Sequence, residues 1–167
     1  MLNHLSATEK KQLEEFLEAV IPTNTKGFTE IRFFNPDGVK VKGFPPSTHL
    51  YLKTLKKDIS QVVALFKGNK QRWNGCYSLA RRKHRDATKG EASHGFVAVY
   101  ADFDDTGKSV EEIKALVDEK ELPPPSAVLE TSPDNYHVVW FLNEPTADVD
   151  IGVRIQKGLY QALGSCK

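Results

Sequence analysis

The stretch FVAVYADFDDT, residues 96–106, is the most informative part of this sequence. It is apolar or aromatic until Asp102 and Asp104, which predicts a buried β-strand with carboxylates at its C-terminal end. Successive side chains of a strand point to opposite faces, so the two carboxylates share one face, roughly 6–7 Å apart along the chain. Two carboxylates on a rigid strand suit a hard divalent cation that is held together with substrate phosphates.

The same alternation predicts which face of this strand is buried against helices. The more uniformly apolar set, expected to face the helices, is Val97, Val99, Ala101 and Phe103. The two acids lie on the other face, in line with Phe96, Ala98 and Tyr100. Taken alone, an acidic pair at a strand end is often only the start of a solvated turn. The buried strand before it favours a binding site.

A second polar cluster precedes a strand predicted near residues 136–142. Ser132-Pro133-Asp134-Asn135 has the composition of a tight turn, and His137 opens the strand that follows. His137, Val139 and Phe141 are expected to share one face. A histidine beside a turn hydroxyl can donate hydrogen bonds to phosphate oxygens, although a lone histidine on a strand is more often structural.

The third polar feature is basic. Residues 81–92 are predicted to form a loop that begins with Arg81 and Arg82. Most basic loops are solvated surface, but arginines close to carboxylates can hold a triphosphate or a nucleic-acid backbone.

The order of predicted elements indicates an α+β fold. From residue 73 onward it is strand, strand, helix, strand, strand, helix, which predicts a small sheet with helices on one face. Ser109 with Glu112 forms a capping box for the first of these helices. The last helix has its predicted apolar stripe and its C-cap at Ile151, Ile155, Leu159, Leu163 and Gly164.

Residues 1–70 predict a helix–strand module that packs alongside this sheet. A helix ends before Pro22, a strand covers 28–34, and a turn at 35–38 leads to a possible strand that ends near Phe44. Pro45-Pro46-Ser47 is expected to start a long helix. Its apolar positions are Leu52, Leu55, Ile59, Val62 and Phe66.

Composition narrows the possible classes of protein. The 167 residues fit one domain with a real core, and the net charge of +1 neither requires nor excludes a nucleic-acid partner. The sequence has no apolar run of about 18 residues, which a membrane span would need. Its N-terminus is too polar for a signal peptide. Cys76 and Cys166 lack metal-site spacing, which favours reduced thiols and a cytoplasmic location.

Taken together, these motifs resemble the archaeo-eukaryotic primase superfamily, in particular the RepB-like primase-polymerase domains of plasmids and phages. Three segments carry the resemblance. Asp102-Phe103-Asp104 matches the family's DxD motif at a strand end. Ser132 to Trp140 is similar to its turn leading to a histidine and an aromatic strand. Cys76 to Arg82 is similar to its upstream strand ending in arginines. The likeness covers roughly residues 73–163 of a single catalytic domain, with 1–70 matched only in general architecture.

The resemblance implies an RRM-like catalytic sheet and template-directed nucleotidyl transfer in the replication of a plasmid, phage or other mobile element. By this likeness, Asp102 and Asp104 would bind Mg²⁺ or Mn²⁺, and His137 with Ser132 would contact the phosphates of a nucleoside triphosphate. Arg81 or Arg82 would assist them. Single-stranded DNA would be the template, and a helicase region could follow in a longer protein.

Two departures from the family pattern also shape the expectation. The turn at 132–135 has Pro133 and Asp134 where the family has glycines. The family's third acid, on a strand after the last helix, has no counterpart before Lys167, since Asp148 and Asp150 precede that helix. The sequence is therefore expected to be a fragment of a longer protein with an incomplete metal site.

Three alternatives remain open from the sequence. The domain could be a non-catalytic RRM-like module that stacks single-stranded nucleic acid on aromatics such as Tyr100 and Phe96. Asp102-Phe103-Asp104-Asp105-Thr106 also matches the DxDxT signature of haloacid-dehalogenase-type phosphatases, in which the first aspartate is a nucleophile. A DxD-containing sugar-nucleotide transferase is less favoured, because no nucleotide-binding βαβ unit precedes the motif.

Overall fold

The computed structural model describes residues 6–20, 27–34, 47–52, 74–84 and 93–165. It divides the chain into two compact units, Met1–His94 and Gly95–Lys167. The elements are α1 (Ala7–Val20), β1 (Thr29–Phe34), β2 (Ser47–Leu52), β3 (Asn74–Tyr77), β4 (Ala80–Arg82), β5 (Ser93–Phe103), α2 (Val110–Glu119), β6 (Ala127–Ser132), β7 (Asn135–Thr146) and α3 (Val149–Leu163). No helix in these ranges combines the length and the apolarity needed to cross a membrane.

The first unit contains α1 and an antiparallel sheet in which β1 lies between β2 and β3. Leu17 of α1 and Ile31 of β1 are buried in this unit. The ring of Phe16 meets the ring of Tyr77 edge-on, with centroids 5.0 Å apart. Strand β4 is connected to the start of β1 through a bridge between Phe28 and Arg82. The predicted first helix and the predicted strand at 28–34 are therefore confirmed.

The helix predicted to start at Pro45-Pro46-Ser47 is wrong over residues 47–52, which form strand β2. This segment pairs antiparallel with β1 from Ser47 opposite Phe34 to Leu52 opposite Thr29. Short apolar runs suit either helix or strand, and here a neighbouring strand decides the outcome. The rest of that predicted helix, and the turn and possible strand at 35–44, lie outside the described residues.

The strand predicted from Trp73 to Ala80 is broken in two. Between β3 and β4 the chain bends at Leu79, and the Ser78 hydroxyl donates to the Ala80 carbonyl over 2.6 Å. The predicted loop at 81–92 is wrong for Arg81 and Arg82, which belong to β4. Of the rest of that loop, residues 85–92 lie outside the described residues.

The second unit has the predicted sheet with helices on one face. Strand β7 lies between β5 and β6 and is antiparallel to both. The predicted alternation is confirmed for Val99, Ala101 and Phe103, which join Val138 and Trp140 in one core. It is wrong for Phe96, which was expected to face away from the helices and instead packs on α3. The helices add to this core Ile113, Val117, Leu159 and Leu163. The α+β fold class predicted from the sequence is therefore confirmed.

Both helices of this unit begin and end as local chemistry predicts. The Ser109 hydroxyl accepts from the Glu112 N–H, and the Glu112 carboxylate accepts from the Ser109 N–H over 2.8 Å. Asp148 caps α3 by accepting from the backbone N–H groups of the helix's first turn. Gly164 follows α3 in the left-handed conformation, with φ 58°. The predicted capping box and glycine C-cap are both confirmed.

The predicted apolar stripe of α3 is correct only in its second half. Leu159 and Leu163 are buried, whereas Ile151 and Ile155 are 39% and 40% exposed. A different face of the helix meets β5, because the ring of Phe96 packs directly over Gly152. A side chain at this glycine would occupy the space of that ring.

The capping box gives a first testable prediction. Replacing Ser109 by Ala is expected to lower the free energy of unfolding by about 1 kcal/mol, because the Glu112 N–H loses the hydroxyl that accepts from it and the Glu112 carboxylate loses the hydrogen bond that this hydroxyl donates. Urea denaturation of the variant and the parent protein at neutral pH measures this difference.

Acidification should remove part of this contribution. The backbone N–H and hydroxyl of Ser109 hold the pKa of the Glu112 carboxyl below its ordinary value. A carboxyl with a lowered folded-state pKa stabilises above its unfolded pKa, and this stabilisation is lost as the pH falls through the folded-state pKa. The stability gap between parent and Glu112→Gln should therefore close on acidification. The exposed Glu144→Gln serves as the control, and an equal pH dependence for both variants would contradict the capping role.

The close contact between α3 and β5 gives a second prediction. Gly152→Ala should destabilise the protein by about 1–3 kcal/mol, because its methyl group overlaps the Phe96 ring. Gly158→Ala, on the same helix, should instead stabilise by about 0.5–1 kcal/mol, because nothing lies near its added methyl group. Thermal denaturation of both variants and of the parent protein shows whether each substitution lowers or raises the stability. Equal stabilisation by both substitutions would mean that α3 does not pack closely against Phe96 at Gly152.

Candidate functional site

Asp102 and His137 lie directly opposite each other on neighbouring strands. The register of β5 and β7 pairs them, and His137 Nε2 lies 3.5 Å from Asp102 Oδ1. Their side chains are 26% and 27% exposed, so both reach the surface from a partly buried position. Two of the residues singled out in the sequence are thus brought together by pairing between strands.

The type of strand pairing explains why these side chains meet. Two positions earlier, Tyr100 pairs with Val139, yet the Tyr100 N–H and C=O both bond to the Gln156 side chain rather than to β7. Consistently, the Val139 carbonyl accepts from Ser126 beside β6. Tyr100 and Val139 therefore form a non-hydrogen-bonded pair, and so do Asp102 and His137 by the alternation of the ladder. Side chains of such pairs stand closer together than those of hydrogen-bonded pairs.

The Asp102 carboxylate is electrostatically unusual. Oδ1 is buried without a hydrogen-bond partner among the described residues, and the 3.5 Å approach of His137 is too long for a good hydrogen bond. Burial raises the pKa of the Asp102 carboxyl, the Asp104 carboxylate raises it further, and His137 opposes both effects. The position therefore favours an added positive charge.

A divalent cation fits these groups. Asp104 is exposed beyond the end of β5, on the same alternation as Asp102, so both can offer carboxylate oxygens on one side of the strand. Hard cations such as Mg²⁺ and Mn²⁺ prefer such oxygen ligands, and a buried oxygen without a partner is suited to one. Within the described ranges, no group of three or more histidine, cysteine and acidic side chains has metal-binding geometry.

The predicted turn after β6 is confirmed as a two-residue connection through Pro133 and Asp134. Asp134 adopts a φ of 61°, which glycine usually occupies and which aspartate tolerates better than most residues. The absence of glycine noted in the sequence is thus accommodated at Asp134. Ser132, at the start of the turn, is exposed.

Asn135 joins this turn to the loop that follows the acids. Its side-chain NH₂ donates to Ser132 Oγ over 2.8 Å, and its Oδ1 accepts from the Asp105 N–H over 2.6 Å. Sequence reasoning treated Asn135 only as a turn former. The predicted phosphate-contacting hydroxyl and the acidic strand end are therefore connected through one amide side chain.

The two arginines that were predicted to assist phosphate binding, Arg81 and Arg82, form hydrogen bonds within the first unit. Arg81 is 2% exposed and donates to Thr29 Oγ1 over 2.5 Å and to the Gly27 carbonyl over 2.6 Å. Burial lowers the pKa of its guanidinium group. Arg82 donates from Nε to Glu30 Oε2 over 3.1 Å. Their phosphate-binding role stays a prediction.

An aromatic cluster adjoins the acidic pair. The Tyr100 ring lies 5.3 Å from the His137 ring, and Tyr160 of α3 meets Tyr100 edge-on with centroids 6.2 Å apart. These ring contacts leave Tyr100 only partly exposed. The sequence predicted that its ring would be available to stack on bases, and much of that surface is instead covered by protein groups.

Comparison with known proteins identifies the fold. No protein-family model matches the sequence, and no curated protein matches it. A solved structure, the AEP domain of the primase-polymerase of cyanophage S-2L, matches with a TM-score of 0.62. The match covers 93% of this chain and 74% of that chain at 18% sequence identity. The chain therefore has the α+β fold of an archaeo-eukaryotic primase (AEP) domain.

Proposed function

We propose that this protein carries the nucleotidyltransferase site of a primase-polymerase. The substrates are nucleoside triphosphates, the template is single-stranded DNA, and the metal ion is Mg²⁺ or Mn²⁺. Its setting is the replication of a plasmid, phage or other mobile element, as in the RepB-like domains that the sequence resembles. The helicase region expected from that resemblance stays a prediction.

One observation carries this proposal above the others: the juxtaposition of Asp102 and His137 at the end of β5, on an AEP fold. Phosphoryl transfer requires neutralisation of charge and positioning of phosphates more than covalent help from the protein. A carboxylate pair can hold a cation that neutralises charge, and an imidazole beside the pair can position a phosphate.

The metal site would consist of Asp102 and Asp104. A divalent ion bound there would neutralise the negative charge of the triphosphate oxygens and would stabilise the charge that develops during transfer. The buried Asp102 oxygen, which has no hydrogen-bond partner in the described part of the chain, is the structural feature that favours such an ion. Asp104, being exposed, would complete the pair from the solvent side.

His137 and Ser132 would bind the phosphates. His137 lies against Asp102, so a phosphate that shares the cation would come within reach of its imidazole. Ser132 lies in the turn that Asn135 connects to the loop after Asp104. Arg81 and Arg82 would assist according to the family likeness, although their described hydrogen bonds go to protein groups.

The main test is calorimetric titration of a nucleoside triphosphate with and without Mn²⁺. The parent protein should bind the triphosphate in a Mn²⁺-dependent manner, and Asp104→Asn should abolish the Mn²⁺-dependent part, because one carboxylate ligand is lost. Asp104 is exposed, so this variant should keep the melting temperature of the parent.

Asp105→Asn is the matched control for this test. Asp105 is the adjacent exposed acid, and its φ of 53° suits asparagine as well as aspartate. The control removes the same charge without removing a predicted ligand. Equal weakening by both variants would mean that Mn²⁺ senses only the general charge of the loop, and the proposed metal site would be rejected.

His137→Ala tests the phosphate contact. It should weaken triphosphate binding by about 1.5–3 kcal/mol, the usual contribution of a hydrogen bond to a charged group, and should change binding of single-stranded DNA much less. Fluorescence anisotropy with a labelled oligonucleotide and calorimetry with the triphosphate provide the two affinities. The exposed His84→Ala is the control. Parallel losses of both affinities would indicate a structural histidine.

The same measurements separate the alternative of a non-catalytic nucleic-acid-binding module. Such a module would bind single-stranded DNA or RNA without metal and would not bind triphosphate. The partial burial of Tyr100 against His137 and Tyr160 gives this alternative less support than the sequence suggested. The phosphatase alternative gains no support from the AEP fold.

A further inference from the structure

We propose that Gln156 of α3 is a positioning residue, which sets the geometry of the Asp102–His137 pair by holding the backbone of β5 at Tyr100. The inference rests on the proposed function, because it concerns the same carboxylate. It assigns a role to a glutamine that neither the sequence motifs nor the fold match single out.

The first support is the pattern of hydrogen bonds. The Tyr100 N–H donates to Gln156 Oε1 over 3.1 Å, and the Tyr100 carbonyl accepts from Gln156 Nε2. A side-chain amide carries the same donor and acceptor as a peptide group, so Gln156 provides the two bonds that a residue of a neighbouring strand would provide. The backbone of Tyr100 is thereby held by α3, on the side of β5 that points away from β7.

The second support is the short distance from this fixed point to the site. Tyr100 precedes Asp102 by two residues on the same strand, so both side chains point to the same face. Both also belong to non-hydrogen-bonded pairs, in which the backbone groups point away from β7. A displacement of the strand at Tyr100 would therefore move Asp102 relative to His137.

The third support is a chain of ring contacts that starts from the same helix. Tyr160 follows Gln156 by one turn of α3 and meets the Tyr100 ring edge-on, at 6.2 Å between centroids. The Tyr100 ring in turn lies 5.3 Å from the His137 ring. Helix α3 therefore contacts both the backbone of Tyr100, in the strand that contains Asp102, and the Tyr100 ring, which lies next to His137. Both contacts run through Tyr100.

The test compares Gln156→Ala with Gln161→Ala in the otherwise unchanged protein. Gln161 is an exposed glutamine on the same helix and provides a matched control. Two quantities are measured well below the melting temperature. One is the dissociation constant for Mn²⁺ alone, from the electron paramagnetic resonance signal of free Mn²⁺. The other is the imidazole resonances of His137, which are sensitive to the orientation of the Tyr100 ring.

Gln156→Ala should weaken Mn²⁺ binding about tenfold, the lower end for residues that orient metal ligands, and should shift the His137 resonances. Gln161→Ala should change neither. Unchanged Mn²⁺ affinity and unchanged His137 resonances in Gln156→Ala would overturn the proposal and would leave Gln156 as an ordinary cap of a strand edge.

Gln156→Glu keeps the experiment decisive if the alanine variant does not fold. Glutamate keeps the length and packing of the side chain and can accept from the Tyr100 N–H, but its carboxylate cannot donate to the Tyr100 carbonyl. The same weakening of Mn²⁺ binding and the same shift of His137 are expected. Parent-like values for both would again overturn the proposal.

Failure of the proposed function would look different. If the parent protein binds no Mn²⁺, or Asp104→Asn binds it equally well, the metal site itself is wrong. The His137 resonances are recorded without metal, so they still decide whether Gln156 positions the pair. A shift in Gln156→Ala but not in Gln161→Ala supports the positioning role, and no shift in either overturns it.

Discussion

The antiparallel register between β5 and β7 is the constraint on which the rest of the second unit depends. It places Asp102 opposite His137 on one face and Ala101 opposite Val138 on the other. Because the side-chain period of a strand is 2, a slip of one residue would carry the carboxylate into the core and bring Phe103 to the open face. Burying a residue such as Phe103 contributes about 1.5–3 kcal/mol, so the slip would lose that burial and would add a desolvated charge. The core therefore determines the geometry of the polar site.

The position of the acids at the end of the strand explains how the fold tolerates them. Asp102 retains partial exposure, and Asp104 lies beyond the last core residue of β5, Phe103. Two observations indicate the remaining energetic cost. One buried Asp102 oxygen has no hydrogen-bond partner within the ranges that the structure describes, and burial raises the pKa of this carboxyl. Buried polar groups are normally satisfied, and exceptions concentrate where a ligand supplies the missing interaction. The proposed cation is such a ligand.

The sequence was informative where local chemistry or alternation decides the structure, and misleading where a distant partner decides it. The buried face of β5, the Ser109 capping box and the glycine after α3 follow from neighbouring residues. Segment 47–52 pairs with β1 instead of starting a helix, and nothing within the segment indicates that partner. Ile155 is exposed because the face of α3 toward β5 is the one that bears Gly152. The helical period predicted a stripe, and only the neighbouring strand determines which stripe is buried.

For the site, the identity of Asp102 and His137 followed from local patterns, but their contact did not. The pair lies in a regular stretch of the ladder, residues 98–103 against 136–141, and no pattern within either strand reports which residue of the other strand it faces. Gln156 was unrecognisable for a related reason, since a polar residue on an amphipathic helix is normally solvent-facing. It became informative only when its amide was found on the Tyr100 backbone. At Tyr100, a helix side chain provides the hydrogen bonds that a neighbouring strand would otherwise provide. A strand would continue along the edge of β5, whereas the Gln156 side chain, among the described residues, bonds only to Tyr100. Asp102, two residues farther along β5, is thereby left open to a ligand.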